Sequence, residues 1–246
     1  MPFDDILLTA LIFIAAVLYS SVGHAGASGY LAAMALMGVS AAVMKPTALT
    51  LNILVALVAT AKYYRVGAFS WSLFWPFAIA SVPLAYLGGM MTLPGHIYKP
   101  LVGAVLIYAA WRSFRTAQQP PQNPQPRPPM PILLSSGAGL GFLSGLTGVG
   151  GGIFLSPLLL FLRCADIKVI SGTAAAFILV NSIAGLVGAM AAAPSLPMAL
   201  PYWAAAAVIG GLIGSEFGSK RLGNPTIQKI LAVVLAIAGI KMIATA

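Results

Sequence analysis

Apolar residues run along this chain in long stretches, separated by glycine clusters, prolines and small groups of cations. The stretch 6–22 holds no charged residue, and its continuity excludes the alternation expected of a transmembrane β-strand. The pattern predicts helices over 6–22, 30–43, 47–63, 69–91, 97–114, 132–146, 153–162, 171–192, 201–217 and 226–243. Lys45-Pro46 reads as a break before the third of these, because proline suits a helix start. A helical span takes about 20 apolar residues, which leaves 30–43 and 153–162 short of a crossing.

Glycine clusters precede both short helices. Gly145-Leu146-Thr147-Gly148-Val149-Gly150-Gly151-Gly152 leads into 153–162, and Gly23-His24-Ala25-Gly26-Ala27-Ser28-Gly29 leads into 30–43. Glycine costs roughly 1 kcal/mol against alanine inside a helix, so each cluster reads as a break. Backbone that leaves the helix at membrane depth is tolerated only where protein buries it or water reaches it. Gly137, Gly141 and Gly145, like Gly210 and Gly214, recur every four residues, the spacing of close helix packing in lipid.

Composition agrees with a membrane protein. Only 7% of the 246 residues are charged and 60% are hydrophobic, whereas soluble domains carry roughly 25% charged residues. Asp4 and Asp5 stand where a secretory signal would be positive, so no cleaved leader is expected. One cysteine, two histidines and four acids argue against a disulfide, a thiolate cluster or a metal site. No cofactor is expected, and the absence of GxxxxGK[ST] excludes an ATP-driven pump within this chain. The net charge of +9 comes from cations placed singly or in pairs between apolar runs, which is a loop pattern and not a nucleic-acid surface.

Residues 118–131 read QQPPQNPQPRPPMP, an extended aqueous linker. It divides the chain into a first half, 1–117, and a second half, 132–246. Shifted by 123 residues, Gly29 falls on Gly152, Lys45 on Lys168 and Thr50 on Thr173. Five helices per half would insert the two halves with opposite topology. With the linker in the cytoplasm, Lys62, Arg65, Arg112, Arg115, Arg127, Arg163, Lys168, Lys220, Arg221 and Lys229 fall inside. Only Lys45, Lys99 and Lys241 fall outside, and both termini lie outside, as the positive-inside rule asks. The expected fold is therefore an all-α integral membrane protein of the inner membrane, an inverted repeat of two five-helix halves.

Inverted repeats with interrupted helices are a transporter arrangement with the substrate near the midplane. A helix N-terminus carries roughly half a positive charge, and glycine leaves its amides open to an oxyanion. The scarcity of acids argues against a cation carrier. The backbone of Gly26, Gly29, Gly148, Gly150, Gly151 and Gly152 is the expected cradle. Ser20, Ser21, Ser28, Ser144, Thr147 and Ser156 are candidate side-chain ligands, although such hydroxyls often bond their own helix. Asn52 and Asn181 are stronger candidates, since an amide facing lipid is costly. His24 and Glu216 are candidate proton-coupling groups, and a structural hydrogen bond is an equal reading for His24. Lys45, Arg163 and Lys168 flank the short helices and either attract anions or simply sit in loops. The expected partners are a small anion and the bilayer, with a homodimer as the candidate assembly.

Two other classes stand beside the carrier. Gly26-Ala27-Ser28-Gly29 is similar to the Gly-x-Ser-Gly signature of rhomboid intramembrane proteases, with Ser28 as nucleophile, but that chemistry needs a base in reach. A membrane subunit dependent on a partner is the other.

Gly148-Val149-Gly150-Gly151-Gly152 running into Leu155-Ser156-Pro157-Leu158 resembles the glycine-to-proline pattern of the sulfite exporter TauE/SafE family. Ser171-Gly172-Thr173 ahead of Asn181, and 21–29 in the first half, extend the resemblance over nearly the whole chain outside the linker. The resemblance implies transport of sulfite, organosulfonates or sulfonated carboxylates. The first half departs from it, having no GxGGG and no matching proline.

Overall fold

A computed structural model describes residues 3–21, 23–116, 128–162, 164–191, 196–220 and 225–245. Among these, all regular structure is helical. The first half contributes α1 (Phe3–Ser21), α2 (Ala27–Leu36), α3 (Ala41–Arg65), α4 (Trp71–Met90) and α5 (Gly95–Thr116). The second contributes α6 (Met130–Thr147), α7 (Gly152–Phe161), α8 (Ile167–Met190), α9 (Leu200–Lys220) and α10 (Pro225–Ala244). By length and composition, α1, α3, α4, α6 and α8 suffice to cross a membrane. The linker reading over 118–127, and the charges Arg127, Arg163 and Arg221, lie outside the described residues. The last two residues of that stretch, Met130 and Pro131, already belong to α6, where proline suits the first turn.

Most boundaries shift by one to three residues, and three helices differ more: α8 begins at Ile167 and not at 171, which makes Lys168 helical and corrects its reading as a loop residue, and the other two lie in the first half. The short second helix is 27–36 and not 30–43, and α3 runs through Lys45-Pro46 without a break. Pro46 removes one backbone hydrogen bond, and α3 spans the protein regardless, because its neighbours bury the segment from Met44 to Leu49.

Glycine sets the ends of the helices. α1 closes in a Schellman motif, with His24 N donating to Tyr19 O at 2.9 Å and Gly23 N to Ser20 O at 3.2 Å. Gly23 takes φ +81°, which residues with a Cβ avoid. Gly148, at φ +82°, closes α6 in the same left-handed conformation and donates to Ser144 O. The four-residue glycine stripe of α6 lies against α4: side chains at Gly137, Gly141 and Gly145 would run into the backbone of Phe77, Ser81 and Ala85. Gly210 and Gly214 of α9 meet the backbone of Phe13 and Val17 in α1 in the same way. Both are close crossings of small residues.

Several packing pairs keep their identities when the halves are exchanged, although α1 packs on α2 without an equally close α6–α7 pair. α1 packs on α9 as α6 packs on α4; α3 on α9 as α8 on α4; α2 on α10 as α7 on α5. The pairs α3–α8 and α5–α10 map onto themselves.

Lys45, Lys99 and Lys241, the exceptions to the charge pattern, share one structural role. Lys45 donates to Gly89 O and Met91 O at the end of α4, Lys99 to Thr245 O just past α10, and Lys241 to Leu36 O at the end of α2. Each cation sits on the partial negative charge of a helix C-terminus. Lys45 is buried in a helix, which corrects its reading as a loop residue.

Candidate substrate site

The two breaks have the same construction. In each, a left-handed glycine ends one helix and a second, three residues on, caps the next: Gly23 and Gly26, then Gly148 and Gly151. Both intervals are offset by 125 residues (148 − 23 and 151 − 26), two more than the shift that puts Gly29 on Gly152. The helices that follow, α2 and α7, are both ten residues long. Neither has a side-chain N-cap, so their opening amides are not satisfied by a cap of their own.

Asn52 joins the start of α2 to the second break. It lies mid-way along α3 with no exposed surface. Its Oδ1 accepts from the Ala27 amide at 3.1 Å, the first residue of α2. Its Nδ2 donates to Val149 O at 3.4 Å, inside the second break, and to Ser182 Oγ of α8 at 3.1 Å. A Cβ on Gly150 would collide with that same Nδ2 and stand 2.9 Å from Ser182 Oγ. Tyr98 of α5 adds a further tie, its hydroxyl donating to Thr147 O at 2.9 Å.

Buried polar atoms without a protein partner include the hydroxyls of Ser20, Thr47, Ser144, Ser156 and Thr173, and Oδ1 of Asn181; of these, Ser144 stands against the second break, its Cβ 3.3 Å from where a side chain on Gly151 would begin. Thr47 and Thr173 occupy the same position in α3 and α8, six residues after the first (47 − 41 and 173 − 167). Buried polar groups are normally bonded, so an open hydroxyl such as that of Ser144 beside the start of α7 has the chemistry to meet a polar ligand.

A profile of the sulfite exporter TauE/SafE family matches residues 8–242. The chain belongs to that family. It is 41% identical over 246 residues to the probable membrane transporter protein y4hK of Sinorhizobium fredii, covering 99% of this chain and all of that one. It is also 28% identical over 244 residues to the probable membrane transporter protein YjnA of Bacillus subtilis, covering 90% and 92% of the two chains. No solved structure is a significant match. As a TauE/SafE protein with several apolar helices, the chain is a multi-pass membrane transporter and not an enzyme.

In this TauE/SafE chain, the predicted site residues separate into two groups. Asn52, Gly26, Gly148, Gly150, Gly151 and Gly152 meet at the junction, and Ser156 and Asn181 bring unpartnered atoms. His24 sits half-buried within the first break. Ser21 and Thr147 bond their own helices through Leu18 O and Leu143 O. Asn181 Nδ2 does likewise to Phe177 O. Gly29 is a packing position, where a side chain would strike Tyr19 and Ala15. Ser28, read as a nucleophile under the protease alternative, is buried in the first turn of α2 beside the Tyr19 hydroxyl.

Glu216 stands apart from the junction. It is exposed near the end of α9 and pairs with Lys62 Nζ at 2.9 Å. Lys62 is ten residues beyond Asn52 on α3, about 15 Å along the helix. Exposed pairs contribute about 0–1 kcal/mol. Glu216→Gln is therefore expected to leave the anion uptake rate, and its pH profile, within about twofold of wild type. Proteoliposome uptake between pH 6 and 8 measures this; a flattened profile would reinstate Glu216 as the coupling acid.

Sequence reasoning missed Ser182 and Thr47. Thr50, which the 123-residue shift paired with Thr173, spends its hydroxyl on Pro46 O. The available signal for Thr47 was its place relative to Thr173 once α3 is counted from Ala41.

Proposed function

We propose that this transporter carries a small oxyanion, of the sulfite, organosulfonate or sulfonated carboxylate class, by alternating access between halves of inverted topology. The carrying observation is Asn52, one buried side chain that accepts from the first amide of α2 and reaches the break that opens α7. The start of α2 beside Asn52 and the start of α7 just past the second break supply a positive field without reorganisation, and the unpartnered hydroxyl of Ser144 beside Gly151 supplies a donor. A pyramidal sulfur oxyanion has enough acceptor oxygens to take several such donors at once. The family's description as a sulfite exporter supports the class of anion.

Inverted topology is supported by the exchange of packing partners, the 125-residue offset of the breaks and the ten-to-three charge asymmetry. In this arrangement the linker is cytoplasmic, both termini are outside, and the bilayer is the inner membrane. Rocking of the halves about Asn52 would expose the junction to each side in turn. His24, within the first break, is the group we assign to proton coupling, since imidazole changes charge near neutral pH.

The test is uptake of labelled sulfite, sulfoacetate and taurine into liposomes holding the purified chain, with and without a pH gradient. Saturable uptake of one of them by the chain alone is expected. Uptake appearing only with an added protein would favour the partner-dependent subunit, and no uptake under either condition would refute the anion reading.

A further inference from the structure

Among the described residues Lys45 is the one charged side chain that is buried, with 8% of its surface exposed. Its Cα, Cγ and carbonyl oxygen each lie 3.2 Å from where a side chain on Gly148 would begin, so it forms one wall of the second break. The ammonium donates to Gly89 O at 2.8 Å and Met91 O at 2.9 Å. Its third neighbour, Gly88 O, is at 3.4 Å and holds it weakly.

Those carbonyls do not balance the charge. A helix C-terminus carries roughly half a negative charge, which leaves about half a positive unit. The chain has four acids, and none is buried: Asp4, Asp166 and Glu216 are exposed, and Asp5 is half-buried in the first turn of α1. A buried cation without an anionic partner is costly, and bringing one in is strongly favourable at low dielectric.

The mirror position is neutral. Gly23 holds the place in the first break that Gly148 holds in the second, and a side chain on Gly23 would collide with Ser171. Ser171 is four residues into α8 as Lys45 is four into α3 (171 − 167 and 45 − 41). Lys99 and Lys241 also rest on helix ends, but in exposed or partly buried bonds and not against a break. Lys45 thus has a location that helix capping alone does not require.

We infer that Lys45 is the fixed positive charge of the substrate site, taking the oxyanion at the Gly148–Gly151 break, while the first break holds it through neutral donors only. This rests on the proposed anion transport. The ammonium is a compact point charge on a flexible stem, suited to sharing its protons between the α4 carbonyls and an incoming oxyanion.

Lys45→Gln separates charge from capping, because its amide can still donate to the α4 carbonyls. Lys45→Arg keeps the charge. Uptake of labelled sulfite and sulfoacetate into proteoliposomes is measured over a range of anion concentrations, with thermal melting of each variant as a folding control. Lys45→Gln is expected to raise KM by about 10-fold to 100-fold with a smaller change in maximal rate, as for a lost charge-assisted bond. Lys45→Arg keeps the charge on a bulkier, planar head and should raise KM less than Lys45→Gln does. Should Lys45→Gln fail to fold, Lys45→His replaces it. Its KM must then fall between pH 8 and pH 6 by more than wild type's does, as the imidazole gains charge. Wild-type KM in Lys45→Gln, a pH-independent KM ratio in Lys45→His, or equal losses of melting temperature and uptake in the Gln and Arg variants would each reduce Lys45 to a helix cap. Wild type moving none of these anions would instead overturn the proposed function.

Discussion

Replacing Gly150 with alanine is expected to reduce anion uptake by at least about tenfold, the loss that ~1.4 kcal/mol produces. Two independent effects act at this residue. Its φ of +79° is left-handed, and a Cβ in that conformation costs roughly 1–2 kcal/mol. The added carbon would also occupy the space of Asn52 Nδ2, so the amide must move and lose its bonds to Val149 O and Ser182 Oγ. Gly139→Ala is the matched control. That glycine lies inside α6 with open space where a Cβ would stand, and alanine there should stabilise the helix by about 0.5–1 kcal/mol. Uptake by both variants, normalised to folded protein, makes the comparison. Full activity in Gly150→Ala would sink the cradle.

Asn52→Leu carries the second large effect. Leucine has similar volume and no polar atoms, so the Ala27 amide, the Val149 carbonyl and the Ser182 hydroxyl lose their partner together. Each unsatisfied buried group costs about 1–3 kcal/mol, so the three together would lower stability by about 3–9 kcal/mol. Asn52→Asp is the more informative variant. Its carboxylate still accepts from Ala27 N, so the start of α2 keeps its partner, but it places a negative charge where the anion is to bind. Uptake should be lost in Asn52→Asp with a smaller fall in melting temperature than in Asn52→Leu. If Asn52→Asp instead transports normally, Asn52 is a structural tie with no anion beside it.

Local signals in the chain carried far. The apolar runs located ten helices to within a few residues in most cases, because the hydrophobic requirement acts on each segment separately. The glycine clusters marked both breaks, because a left-handed backbone position is a property of the residue that occupies it. The stripe at Gly137, Gly141 and Gly145 announced a close helix contact without naming its partner, α4. Lys45 shows where such reading fails. Lysine followed by proline looks like a loop, and only the C-terminal end of α4 packed against it makes a buried helical position tolerable.

By itself the sequence determined the class of protein, the helices and the two breaks, because each depends on the hydropathy or backbone freedom of neighbouring residues. The tertiary structure alone decided what the breaks face. Asn52 reaches partners 25, 97 and 130 residues away, and Lys45 bonds carbonyls more than 40 residues on. Which hydroxyls remain unpartnered was likewise set by packing, with Thr50 turned onto its own helix and Thr47 left open. Side-chain hydrogen bonding depends on direction and on proximity between separate helices, and neither leaves a periodic trace along the chain.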